Sequence, residues 1–159
     1  MKHQLMLAAA MTTVICAPTG ATDSSYGVSM QTHALRQLRE GRDAFRHATF
    51  GDEAFWGDEL GLHLAIAGAA NGGVGEGVSP ATALAVGLKV DVDSLPRSVQ
   101  RDIARGKVDL KNPAVTISLL KLDAVIGVTG IFDEKGRITS MGIQCSLCHS
   151  TVDDSFAKG

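Results

Sequence analysis

The spacing of apolar and polar residues predicts a chain that begins as helix. After a polar segment at 22–29, a helix is predicted from about 30 to 46, where one set of side chains recurs at spacings of three and four: Leu35, Leu38, Arg42 and Phe45. A second helix is predicted over 52–69, with Asp52 as its cap and a broad apolar face. Gly57 and Gly61 weaken this helix, and their four-residue spacing would let another element pack closely against it.

Three further helices are predicted from their start and stop signals. Ser79-Pro80 and Asn112-Pro113 each combine a capping side chain with a proline suited to the first helical position, and the first of these helices is expected to run to about residue 88. Between them, Asp93 or Ser94 is expected to cap a helix over 96–105 that ends at Gly106. The glycine-rich run at 71–77 lacks the Gly-Lys-Ser/Thr of a phosphate loop, so we interpret it as a connector.

From residue 124 the pattern changes from helix to strand. The runs 125–132 and 137–143 are rich in β-formers and flank a short acidic turn that ends in Gly136, which predicts a hairpin. That hairpin leads to Gln144 and the segment that follows it. The expected fold class is therefore mainly α, with a short β-hairpin leading into residues 145–149, and a four-helix bundle is the alternative.

The amino terminus has the pattern of a secretory signal. A basic start is followed by an uncharged apolar run at 5–17 and by small residues up to Ala21. Residues 1–21 are expected to be cleaved, and 22–159 to form a single exported domain that is periplasmic or secreted. Two alternatives remain open, a membrane anchor, for which the run is short, and a lipoprotein modified at Cys16.

Charge and cysteine count exclude several functions. A formal net charge of −2 gives no indication of nucleic-acid binding. Asp91 and Asp93 lack the glycine and distal glutamate of a calcium loop, so no calcium site is predicted. If the signal is removed together with Cys16, Cys145 and Cys148 are the thiols that remain.

Those two cysteines belong to the run Cys145-Ser-Leu-Cys148-His149, a C-x-x-C-H motif that is typical of covalent haem attachment. Two thiols one helical turn apart can each form a thioether with one porphyrin vinyl group, and His149 can then bind the iron as the axial ligand. Zinc would need about four ligands, and the chain has no second cysteine pair. A thioredoxin-like redox pair and a local disulfide stay open as alternatives, although export favours haem.

The second axial ligand of such an iron is not fixed by the sequence. His63, on the apolar face of the second helix, and His47, at the end of the first, are the leading candidates. An external ligand or none is the alternative. Weaker candidates are His33, Met30 and Met141. Three aromatic residues could wall a porphyrin edge or simply join the core: Phe50, Phe55 and Trp56.

The chain resembles exported bacterial proteins with a cytochrome c domain, over most of residues 47–156. The resemblance is carried by C-x-x-C-H and by HATFGDEAFWGDELGLH (47–63), ALAVGLKVDVDSLP (83–96) and GVTGIFDEKGRITSMGIQCSLCHSTVDDSF (127–156). It implies one haem c bound by Cys145, Cys148 and His149. In similar proteins a long segment after the motif covers the second haem face, so this chain is expected to be a truncated member of a larger haem protein family or one part of a split protein.

Electron transfer to a redox partner protein, which could be a missing carboxyl-terminal haem domain, is the expected function. One alternative is a haem enzyme, such as part of a peroxidase-like assembly with an open sixth iron site. The sequence favours an electron carrier over an enzyme, because no acid–base pair marks catalysis. The other alternative is a haem-free remnant.

Overall fold

The computed structural model describes residues 23–156, with side chains from residue 25. The predicted signal at 1–21 lies outside the described residues. The chain divides into two units, up to Gln37 and from Leu38 onward. The structure is mixed, about 52% helical and 11% strand, with two small antiparallel sheets. None of the helices in the described range combines the length and apolar character needed to cross a bilayer.

Helix α1 covers Asp23–His47 and crosses the boundary between the two units. The first unit contains its amino-terminal part. The side chains that defined the predicted apolar face of α1 are exposed, including Leu38 and Phe45. Arg46 is the side chain near the end of α1 that is buried, so the predicted face is not the one that packs.

The predicted helix over 52–69 is split into two parts. A π-helical segment covers Ala54–Glu59, and α2 covers Leu62–Ala67 after a break at Gly61, whose φ is +60°. Asp52 does not cap it: its carboxylate accepts a hydrogen bond from the backbone N–H of Ile143, at 3.0 Å. A Cβ on Gly57 would lie 1.7 Å from Ser140 Oγ, so this glycine does permit close packing.

The next helices begin where the capping signals predict. Helix α3 covers Pro80–Ala85, and the backbone N–H of Thr82 donates to Ser79 Oγ at 3.2 Å. Helix α5 covers Pro113–Lys121, with Asn112 Oδ1 accepting from the N–H of Ala114. Helix α4 covers Arg97–Ala104, but Pro96 stands at its cap position, so the predicted capping by Asp93 or Ser94 is wrong. Short 3₁₀ turns lie at Ala69–Asn71 and Val92–Ser94.

The residues expected to form one strand at 125–132 form two. β2 (Val125–Ile126) pairs with β1 (Lys89–Val90), whereas β3 (Val128–Phe132) pairs with β4 (Ile138–Ile143), both antiparallel. Gly127 separates them with a φ of +97°, a backbone conformation that favours glycine. Helix α6, Ser146–His149, follows β4 directly.

The core of the second unit lies where α2 and α5 meet the β3–β4 pair. It is formed by buried side chains from α2, α5, strands β2, β3 and β4, and the loops between elements: Ala67, Leu95, Ile117, Leu119, Leu120, Ala124, Val125, Val128, Ile138 and Met141. Trp56 packs against this cluster from the π-helical segment. β4 is buried at most of its positions, so it delivers the chain from the core to α6.

Candidate functional site

The C-x-x-C-H motif comprises Cys145, at the cap position of α6, and the four residues of that helix, and its reactive side chains lie on the surface. Cys145 and Cys148 are both exposed, and neither is in a disulfide. His149 is exposed as well. Its backbone N–H donates to the carbonyl of Cys145 at 3.3 Å, which closes one helical turn over the motif. Two free thiols and one imidazole therefore reach solvent from a single turn.

The segment beneath this turn is fastened by the buried side chain of Gln144, which is 2% exposed. Its Oε1 accepts hydrogen bonds from Arg46 Nη1 at 3.0 Å, from the backbone N–H of Gly127 at 2.9 Å and from Ser146 Oγ at 2.9 Å. Its Nε2 donates to Thr129 Oγ1 at 2.8 Å. One amide thus joins α1, β3 and α6 immediately before Cys145.

Arg46 extends this network to the other sheet. Arg46 is 8% exposed, and its guanidinium donates from Nε to Asp91 Oδ2 at 3.2 Å and from Nη2 to the carbonyl of Asp123 at 2.6 Å. A buried guanidinium is stable when a carboxylate compensates its charge and acceptors satisfy its N–H groups. Asp91 supplies the charge, and Gln144 and Asp123 supply the further acceptors.

Helix α6 packs directly against the backbone of Gly127. A Cβ on this glycine would lie 2.5 Å from Leu147 Cα, far inside contact distance. The Gly127 carbonyl accepts the backbone N–H of Gln144 at 3.0 Å. Lys89 Nζ donates to the carbonyl of Leu147 at 3.3 Å from the neighbouring sheet. The middle of the motif is therefore held on its inner side, and its reactive atoms face outward.

Beyond His149, residues 151–156 help to line a groove of about 590 Å³, whose walls combine apolar side chains with four aspartates: Asp91, Asp93, Asp153 and Asp154. The opposite walls include Leu95, Ile103 and Ile126. The backbone N–H of Ser155 donates to Asp153 and holds the pKa of that carboxyl below its ordinary value. Apolar surface is thus present beside the chain that directly follows the motif.

The two leading sixth-ligand candidates occupy different environments. His47 is the last residue of α1 and is exposed, and its carbonyl accepts from Thr129 Oγ1, the hydroxyl that Gln144 also contacts. His63 is 9% exposed on α2, and its Nδ1 has no hydrogen-bond partner among the described residues. The backbone at His47 therefore joins the Gln144 network, whereas His63 lies in the interior.

The weaker candidates are also placed. Met141 is a core residue, 1% exposed on β4. His33 and Met30 lie in the first unit and are exposed, and His33 Nδ1 hydrogen-bonds to Arg36 at 2.9 Å. Of the aromatic residues proposed as a porphyrin wall, Phe55 and Trp56 contact each other edge to face, at 4.9 Å between centroids.

The sequence reasoning missed the residues that support the motif. Gln144 was expected only to follow the β-rich run at 137–143, although a large polar side chain there, directly before the motif, was a usable signal. Asp91 was considered as part of a calcium loop and rejected in that role. It accepts the N–H of Asp93 and also pairs with Arg46. No local pattern indicates Arg46, because its partners are distant in sequence.

Within residues 23–156, no group of three or more His, Cys, Asp or Glu side chains could hold a metal ion. That finding concerns sites built from several protein ligands, and a haem iron takes only its axial ligands from the protein. No family model matches the chain, and no curated protein or solved structure matches it either.

Proposed function

We propose that the chain is an exported c-type cytochrome that binds one haem through Cys145 and Cys148, with His149 as an axial ligand, and transfers electrons to a redox partner. The observation that carries the proposal is the exposure of both free thiols and the imidazole on one helical turn that is anchored from beneath. A haem bound there would supply an iron that cycles between its ferrous and ferric states.

The residues of the site fit the attachment chemistry. Each thiol would add across one vinyl group, with the sulfur bonding to one carbon and the hydrogen ending on the other. Nothing leaves and no oxidant is consumed, provided that both cysteines are reduced as they are here. The Gln144 network holds the backbone at Cys145, so attachment needs no rearrangement of the buried face.

The role of His149 depends on the same anchoring. Lys89 and Gly127 fix Leu147, and the helical turn then sets where the His149 backbone lies. An axial ligand with a fixed backbone needs to order only its side chain to reach the iron. The groove beside residues 151–156 supplies apolar side chains for a bound porphyrin to pack against, and its four aspartates place carboxylates beside that surface.

For the sixth position, the proposal favours His47 over His63. A haem tethered to exposed thiols meets ligands at the surface, and His47 is exposed. His63 would have to leave the packing between α2, α5 and β4.

The test is production of the full chain in a host with haem-attachment machinery. Covalent haem should survive acid–acetone extraction and give the reduced α-band of thioether-bonded haem. Cys148→Ser should reduce covalent attachment and shift that band, whereas Ser98→Ala, a control at an exposed position of α4 outside the groove, should change neither. Absence of covalent haem in the exported wild-type protein would refute the cytochrome assignment and leave the haem-free alternative.

Carbon monoxide binding to the reduced protein separates the sixth-ligand alternatives. If His47 is the ligand, His47→Ala should accelerate binding and His63→Ala should not. Fast binding already in the wild type would contradict a protein ligand and favour the open-site enzyme alternative.

A further inference from the structure

A cavity of about 270 Å³ lies between α3, α5 and the strands, and neither cysteine of the motif nor His149 lines it. Its floor is formed by buried side chains, among them Leu120 and Val125. Its mouth lies beside α3, where Val86 is 73% exposed. A molecule can therefore enter the cavity from solvent without contact with the residues proposed to attach haem.

The surface of this cavity is almost entirely apolar, although three of the residues that line it are polar. Lys89 Nζ donates to the carbonyl of Leu147, and Thr82 Oγ1 hydrogen-bonds with Ser79 Oγ at 3.0 Å. The hydroxyl oxygen of Thr116 is buried, so a molecule in the cavity has no access to it. A ligand therefore contacts carbon atoms on nearly every side.

This apolar surface decides which ligands the cavity accepts. A hydroxyl, an amide or a charged group that moved into it from water would lose its hydrogen bonds and gain none, which costs free energy. A hydrocarbon has no such loss, and the burial of its surface is favourable. An apolar cavity of roughly 150 Å³ binds benzene, which has six carbon atoms, so the larger volume here has room for about eight carbons.

We propose that this cavity binds a hydrocarbon group of about eight carbon atoms that carries no hydrogen-bonding atom along its buried length. The group is either a small free hydrocarbon or the tail of an amphiphile, since both present the same surface to the lining. Because the cavity opens beside α3, the polar head of an amphiphile can stay in water while its tail is buried. The proposal does not depend on haem attachment.

Titration calorimetry of the full chain with three probes tests this chemistry. p-Xylene is a free hydrocarbon, 1-octanol has one hydroxyl that can stay at the mouth, and 1,8-octanediol must bury a hydroxyl to place its chain in the cavity. Saturable binding is expected, and the tighter of p-xylene and 1-octanol identifies a free hydrocarbon or an amphiphile tail as the ligand. The diol should bind at least about tenfold more weakly than 1-octanol.

Variants at neighbouring positions of α3 locate the binding. Ala83 is 9% exposed and lines the cavity, whereas Ala85 is exposed and lies outside it. Ala83→Leu adds three carbons to the lining and should weaken binding of the tighter probe at least about tenfold, whereas Ala85→Leu should leave the affinity unchanged. Val86→Trp narrows the exposed mouth and should weaken binding without a change in the core.

Three results would overturn the proposal. Neither p-xylene nor 1-octanol binds saturably, the diol binds as tightly as 1-octanol, or the variants at Ala83 and Val86 bind like the wild type while their circular dichroism spectra are native. If Ala83→Leu does not fold, the comparison of Val86→Trp with Ala85→Leu decides the location of the site.

Discussion

The Gln144→Met substitution tests whether the buried amide fastens the motif to the rest of the domain. The change keeps the side chain's length and removes its four side-chain hydrogen bonds. Three buried donors then lose their acceptor: Arg46 Nη1, the Gly127 N–H and Ser146 Oγ. A buried donor left unsatisfied costs about 1–3 kcal/mol, and Arg46 keeps two other partners, so we expect a loss of about 4 kcal/mol in the free energy of unfolding.

A loss of that size is a large part of the roughly 5–15 kcal/mol that stabilises a typical domain. Urea denaturation followed by fluorescence measures it well, because Trp56 is the single tryptophan and packs against the core. Gln100→Met is the matched control. The Gln100 amide donates to the carbonyls of Val92 and Leu95 from a half-buried position, so its loss should cost about 1 kcal/mol.

Gln144→Glu tests whether the loss of the acceptor oxygen, rather than a change in the shape of the side chain, causes the loss of stability. A carboxylate still accepts from Arg46, Gly127 and Ser146, so this variant should keep most of the stability at neutral pH. The reasoning is refuted if Gln144→Met costs no more than Gln100→Met, or if Gln144→Glu is as damaging as Gln144→Met.

Two further predictions concern Gly127, against which α6 packs, and the turn between β3 and β4. Gly127→Ala should cost about 2 kcal/mol more in urea unfolding than Gly87→Ala, because both have a positive φ but only the first places a Cβ against Leu147; equal losses would contradict the close-packing argument. The backbone N–H of Arg137, and to a smaller extent its side chain, donate to the Asp133 carboxylate and hold the pKa of Asp133 below its ordinary value. The ionised carboxylate therefore stabilises the folded protein above the ordinary pKa, and this stabilisation is lost as the pH falls through the lowered pKa. Thermal unfolding from neutral pH to about pH 3 should therefore show a smaller acid-induced decrease for Asp133→Asn than for the wild type, and identical pH profiles would exclude this role.

The sequence predicts those parts of the fold that depend on contacts between residues close together in the chain. The caps at Ser79 and Asn112 were predictable because each side chain bonds an N–H two or three residues away. The role of Asp52 was mispredicted because its hydrogen-bond partner is distant in the sequence. It is a good capping residue by type, but in the folded chain its carboxylate reaches the N–H of Ile143 at the end of β4. The apolar face of α1 was mispredicted because periodicity shows which side chains could be buried, not what packs against them.

The motif itself was visible in the sequence, because two thiols and an imidazole within five residues are a local pattern. The buried hydrogen bonds that hold the motif in place were not visible in the sequence. Arg46 and Gln144 are 98 positions apart, and no period in the sequence links them. Of the two histidines that the sequence ranked together, only the fold distinguishes an exposed His47 from a buried His63.

The sequence alone determined where α3 and α5 begin, where the β-rich runs lie and which side chains carry chemistry, since those features depend on neighbouring residues. The tertiary structure decided that Gly127 divides one β-rich run between two sheets, that α6 packs on that glycine, and that Arg46 and Gln144 meet beneath Cys145. Those outcomes depend on which distant segments share a buried space. The loss of a buried polar contact costs free energy, because a buried donor or charge that has lost its partner cannot hydrogen-bond to water instead.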